Sequence, residues 1–168
     1  EDECMVGAER WVADDPLAFT QLGIDRAHQI SSGEGVTVAV VDSGVASSNA
    51  HLSGVTRAGT NIAGSGAATE DDEGHGTAIA GQIADQPVDG SGVVGIAPDA
   101  EILPVKVYDS SQGGGNDDSV APNLPMMADG IEWAADHGAQ IIVVALSSTE
   151  DNPAVAAAVQ RATQNGAL

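Results

Sequence analysis

The sequence predicts an α/β fold built on a mainly parallel sheet. Three observations carry this. Short β-branched apolar runs recur at 36–41, 101–107 and 141–146. Stretches with helical spacing of small and apolar residues separate them, and glycines stand where those stretches should end. Strands of a parallel sheet are covered on both faces, so they appear as continuous apolar runs rather than alternating ones. With 168 residues and 42% hydrophobic content, the chain can bury one core of ordinary domain size. Aromatic residues make up only 2%, so that core must be aliphatic.

Taken in order, residues 1–35 are mixed and polar and form an N-terminal extension. Asp15 followed by Pro16 has the pattern of an N-cap with proline at the first helical position. A second short helix is expected over 24–30. The turn at 31–35 leads into VTVAVV (36–41), a strand buried on both faces that ends at Asp42. A short strand is expected over 60–63 and a helix over 75–84 (HGTAIAGQIA). EILPVKV (101–107) has strand character, and Pro104 within it suggests an edge or a bulge because it cannot donate to a ladder. A helix over 126–137 stops at Gly138, which suits the first residue past a helix end. IIVVAL (141–146) is the next buried strand, and the Ala-rich helix 153–165 closes at Gly166. The loops 64–74 and 109–125 are glycine-rich and acidic and are expected to face solvent.

Charge excludes several functions. Acids outnumber bases 25 to 5, for a net charge of −20. Phosphate recognition needs clustered Lys and Arg, so nucleic acid is not a partner, and an anionic membrane surface would repel the chain. Such a surface suits cationic partners or a high-salt habitat. No apolar run approaches the roughly 20 residues of a membrane span. The first three residues are acidic where a signal peptide would be basic, which fits a cytosolic protein or the mature part of an exported one. Cys4 is the lone cysteine. It is either a free thiol or one whose partner lies on another chain or segment.

Two residues draw attention for chemistry. Asp42 ends a buried strand, and ligands and catalysts collect at such strand ends in α/β sheets. Alone, it reads as a turn cap. His75, between Gly74 and Gly76, opens a helix and alone reads as a turn residue. Together they change meaning. Asp42 can accept a hydrogen bond from His75 Nδ1–H, which fixes the tautomer and turns Nε2 toward a substrate as a general base. That is two-thirds of an Asp-His-Ser triad.

The surrounding motifs make this specific. VAVVDSGV (38–45) resembles the aspartate motif of the subtilisin-like serine proteases, the subtilases, and GHGTAIAG (74–81) resembles their histidine motif. GVVGIAPDAEILPVKVYD (92–109) and GIEWAADHGAQIIVVALS (130–147) resemble the segments that follow in the same order. The resemblance implies a subtilisin-like three-layer fold, with residues 36–168 as the first half of a catalytic domain that is incomplete in this chain. It implies that Asp42 orients His75, and that Ala145, Leu146 and Ser147 form the edge that pairs with an extended peptide substrate. Ser147 stands where the family usually has glycine and would narrow the adjoining pocket. Ala78 replaces a second histidine that many subtilases have. LGIDRAHQISSGEGVTVAVVDSGV (22–45), with Cys4 in an N-terminal arm, resembles the mycosins, membrane-anchored subtilases of type VII secretion systems. This likeness implies an exported protein, extracellular or in the cell envelope, whose Cys4 pairs with a cysteine outside this chain.

What is absent shapes the expectation. No GTS-type nucleophile motif and no G-x-S-x-G elbow occur, and the family's oxyanion-hole asparagine is missing. Residues 165–168 resemble the entry to a further buried strand. The nucleophilic serine and that asparagine are therefore expected from a C-terminal half, the partner of this segment, and residues 1–168 alone are expected to be inactive. Ser43, beside Asp42, reads as a turn residue. The run 70–73 (EDDE) reads as a solvated loop or as carboxylates that favour basic substrates and raise the His75 pKa. No cofactor is required and no metal site is assigned. Structural calcium, which many subtilases bind, stays unassigned. Three other classes compete with this reading. A metal hydrolase using Asp42, His51, His75 and the acidic run lacks any zincin or calcium-loop spacing. A nucleotide-binding module lacks the lysine that should follow the glycines at 113–115. A catalytically dead subtilase-fold scaffold or binding module would lack both the serine and the asparagine in its second half.

Overall fold

A computed structural model describes residues 12–14, 16–109 and 122–168. The expectations for Cys4, Asp15, the glycines at 113–115 and most of the loop 109–125 lie outside the described residues. The first strand, β1 (Thr37–Asp42), is buried along its whole length. It pairs in parallel with β3 (Glu101–Lys106) through all six residues, from Thr37 opposite Glu101 to Asp42 opposite Lys106. On its other side it pairs in parallel with β4 (Ile141–Val143), and β2 (Thr60–Asn61) adds to β3. The order is β2-β3-β1-β4.

Because β1 is covered on both faces, its alternate side chains serve two cores. Val38 and Val40 pack with Ile102 against α3 (His75–Ala84), through Ala80 and Ala84. Ala39 and Val41 pack with Leu103, Val105 and Val107 against α4 (Leu124–Asp136), through Ala134. A further helix, α5 (Pro153–Gln164), lies on α4 through Ala158 and Ala162, around Met127 and Ile131. The result is a three-layer α/β arrangement with an aliphatic core. Gly130 lets α4 approach closely, since a Cβ there would sit 2.6 Å from Val107 Cγ1 and 3.1 Å from Val41 Cγ1. Glycine costs about 1 kcal/mol inside a helix, and close packing on the sheet offsets it.

Several elements differ from the sequence expectations, each for a local reason. α1 (Leu17–Leu22) begins directly after Pro16. α2 (Ile24–His28) stops two residues early, and Ile30 is 90% exposed, so no burial rewards its extension. β2 is only two residues long, because the amides of Ile62 and Ala63 both converge on the Lys106 carbonyl and the ladder ends there. Pro104 is not at an edge, since β3 lies between β1 and β2. Its missing donor falls instead in a gap in pairing. Arg57 N bonds Ile102 O before the gap, and ladder pairing resumes only at Thr60. α4 starts two residues earlier than expected, because the Asn123 side chain accepts from Met126 N at 3.0 Å. β4 is half-buried rather than buried, and its outer edge meets only Leu168 among the described residues, through Ile142 N to Leu168 O at 2.9 Å. The loop 64–74 is exposed at 64–67, but Ala68 is buried and its carbonyl accepts from Val45 N.

Candidate active site

The C-terminal end of β1 and the N-terminal end of α3 meet at Asp42 and His75. Asp42 is 1% exposed, and its Oδ1 accepts from the Ser43 amide at 2.7 Å. His75 Nδ1 lies 2.8 Å from Asp42 Oδ1 and 3.0 Å from Oδ2. A carboxylate only accepts, so Nδ1 carries the proton and Nε2 of the neutral ring keeps a free lone pair. The His75 side chain is 50% exposed while its partner is sealed from solvent. One face of the imidazole is thus anchored, and the other is open to a reactant.

Sequence determines how tightly the two ends are joined. The Gly76 amide donates to the buried Ser43 hydroxyl at 3.0 Å. A Cβ at Gly76 would lie 2.1 Å from Gly44 O and 3.1 Å from Asp42 Cβ, so only glycine permits this approach. Thr77 Oγ1 accepts from Ala46 N at 2.9 Å and donates to Asp71 Oδ2 at 2.6 Å. Asp71 also accepts from the amides of Thr77 (2.9 Å) and Gly74 (3.0 Å). Burial on its own would raise the Asp71 carboxyl. Hydrogen bonds from Thr77, Ser43 and Gly74 outweigh it and hold the group below its usual range.

Ala145, Leu146 and Ser147 border the same cavity as Asp42 and His75, a space of about 370 Å³ closed further by Glu73, Tyr108 and Pro122. The five residues anticipated from sequence therefore converge. Of the acidic run 70–73, Asp71 holds the first turn of α3 and Glu73 borders the cavity; sequence reasoning missed Thr77 and Tyr108. Asp71 carried a signal: an aspartate three residues before a glycine at a helix start is a ready cap. The other three histidines lean on main-chain carbonyls: His28 on Ile96, His51 on Gln86 and His137 on Trp133. His51 does not join the Asp42–His75 pair in the cavity, and no group of three His, Cys, Asp or Glu side chains converges as metal donors among the described residues. Among those residues no helix is long and apolar enough to cross a membrane.

Comparison with known proteins adds to this geometry. The subtilase family profile (peptidase S8) matches residues 33–168. Thermitase from Thermoactinomyces vulgaris is 35% identical over 143 residues, covering 85% of this chain and 48% of the relative. Subtilisin Savinase from Lederbergia lenta is 36% identical over 155 residues, covering 91% of this chain and 53% of the relative. Among solved structures, MycP1 from the ESX-1 type VII secretion system superposes with a TM-score of 0.79 at 28% identity, over 98% of this chain and 46% of that one. Fervidolysin from Fervidobacterium pennivorans, a keratinolytic enzyme related to subtilisin, gives 0.72 at 32% identity, over 85% and 22%. The chain spans about half the length of the curated relatives it matches.

Proposed function

Because the chain belongs to the subtilase family, we propose that it carries the acid and the base of a peptide-bond hydrolase. His75 Nε2 takes the proton of a serine hydroxyl supplied by residues outside these 168, and the serine Oγ attacks the peptide carbonyl carbon. The same imidazole, now protonated, hands its proton to the leaving amine as the carbon–nitrogen bond breaks. Water then enters by the reverse route and releases the acyl group. Asp42 stabilises the imidazolium and holds the tautomer. An asparagine, also from outside these residues, receives the developing oxyanion. The substrate lies extended along Ala145, Leu146 and Ser147, bonding to their backbone, with the Ser147 side chain trimming the space beside it. This chemistry requires no cofactor.

The observation that carries the reading is the 2.8 Å contact between His75 Nδ1 and a buried carboxylate, with the half-exposed ring bordering a cavity. We divide the chain into an N-terminal extension, 1–35, and the first half of a catalytic domain, 36–168. The start of the family match at residue 33 supports that division. By superposition, the likeness to MycP1 and MycP3 of type VII secretion systems covers up to 98% of this chain, against 85% for fervidolysin. It supports a mycosin-like protein placed outside the cytoplasm or in the cell envelope. The test is turnover of a peptide library by the full-length protein and by its His75→Ala variant. Cleavage by the first and none by the second is expected. A folded full-length protein that cleaves nothing would favour the scaffold reading.

A further inference from the structure

Asp85 stands at the C-terminal end of α3, and the fold leaves its carboxylate short of partners. The residue is 8% exposed, and among the described residues its Oδ1 has no hydrogen-bond partner. Burial pushes the carboxyl up, and the opposing pull of His51 does not offset it. A buried carboxylate in that condition is costly unless something completes it. The carboxylate lies over Gly81, where a Cβ would come within 2.9 Å of Oδ2 and 3.1 Å of Oδ1. Glycine there keeps a space open beside the acid.

That space belongs to a cavity of about 530 Å³ between α3, the start of α1 and the loop at 93–96. On α3 its wall runs from residue 74 through 77, 78, 81 and 82 to 85, one stripe at helical spacing. Phe19, Val93, Val94 and Ile96 make the rest of it apolar. Ala78 and Ile96 are exposed while Gly81 and Asp85 are buried, so the cavity opens to solvent above and holds its acid at the base. No lysine or arginine borders it among the described residues, and it shares none of them with the cavity that holds His75.

We propose that this cavity binds a small aliphatic amine, with its ammonium on the Asp85 carboxylate and its hydrocarbon chain along Phe19, Val93 and Val94. An ammonium brings three donors and the charge that the buried carboxylate lacks. A metal ion is poorly served: one carboxylate among apolar walls cannot replace a shell of oxygens, and among the described residues no three His, Cys, Asp or Glu side chains converge. A neutral alcohol of the same length gains the walls and leaves the acid unmatched. The volume is that of a small-molecule pocket, which suits a free amine better than the tip of one side chain. The net charge of −20 raises the local concentration of any cation.

The test is calorimetric titration of the full-length protein at neutral pH and low salt with n-hexylamine, 1-hexanol and Nα-acetyl-lysine methylamide. Hexylamine is expected to bind about tenfold more tightly than hexanol, the factor that about 1.4 kcal/mol supplies. Asp85→Asn should erase that difference. Ala78→Leu, a change at the exposed rim, should weaken hexylamine about tenfold by filling the cavity, whereas His75→Ala should leave it unchanged. Were Asp85→Asn not to fold, the contrast between Ala78→Leu and His75→Ala still locates the site. No binding of hexylamine, equal binding of amine and alcohol, or an amine preference that survives Asp85→Asn overturns the proposal. So does loss of binding in His75→Ala but not in Ala78→Leu. Tighter binding of the lysine amide than of hexylamine would hand the cavity to a lysine of a partner protein and overturn the assignment to a free amine.

Discussion

At the residue scale, a carboxylate as deep as Asp42 survives because its oxygens have donors: the Ser43 amide and the His75 ring. Asp42→Asn keeps the shape but offers Nδ1 a donor in place of an acceptor, which favours the wrong tautomer. Turnover by the full-length protein is expected to fall about 10⁴-fold with little change in stability, measured as kcat alongside thermal unfolding. Asp85 is the opposite case. It is buried, its Oδ1 has no hydrogen-bond partner, and burial raises its carboxyl against the opposing pull of His51. A raised acid favours the fold while protonated and costs stability as pH climbs through its raised value. Asp85→Asn should therefore raise the melting temperature near neutral pH, by about 2–4 °C for each kcal/mol recovered. The gain should vanish below about pH 4, where the carboxyl of the unfolded chain is itself protonated. An equal gain at both pH values would contradict this account.

At the element scale, the site depends on how β1 is spliced to α3. Gly76→Ala would drive a methyl group into the Gly44 carbonyl and the Asp42 side chain. It is expected to cost about 1–3 kcal/mol and to lower kcat more than KM, because it parts the Asp42–His75 pair. Asp71→Ala removes the acceptor that ties Gly74 and Thr77 into the first turn of α3, at a cost of about 0.5–2 kcal/mol. Since the fold holds the Asp71 carboxyl below its usual range, the stabilisation it gives is present above that range and is lost as pH falls through the lowered value. The gap in stability between wild type and Asp71→Ala should accordingly close in acid, as read by denaturant unfolding across pH. These splices were only partly legible in sequence. The apolar run into Asp42 and the glycines around His75 announced the site. The hydroxyls of Ser43 and Thr77 did not, because a serine or threonine near a turn looks the same whether or not a distant amide finds it.

At the scale of the whole molecule, the two-faced burial of β1, the parallel sheet and the aliphatic core were all legible from continuous β-branched runs and the scarcity of aromatics, while the strand order was not. Strand lengths were not, because pairing sets them: β2 ends where two amides share the Lys106 carbonyl, and β4 is only half-covered. The place of Pro104 was hidden for the same reason, as a gap in a neighbouring strand leaves no mark in the sequence of β3. Nor could sequence sort the four acids at 70–73, which only the turn at Gly74 separates into a cap and a cavity wall. With the base in this chain and the nucleophile proposed to lie outside it, residues 1–168 expressed alone should hydrolyse no peptide. The most direct measurement is labelling of the full-length protein with a serine-reactive fluorophosphonate, with the site read by peptide mapping. One labelled serine outside residues 1–168 is expected, at a rate that falls by orders of magnitude in His75→Ala. Labelling within residues 1–168, at Ser43 for instance, or a rate indifferent to His75, would contradict it.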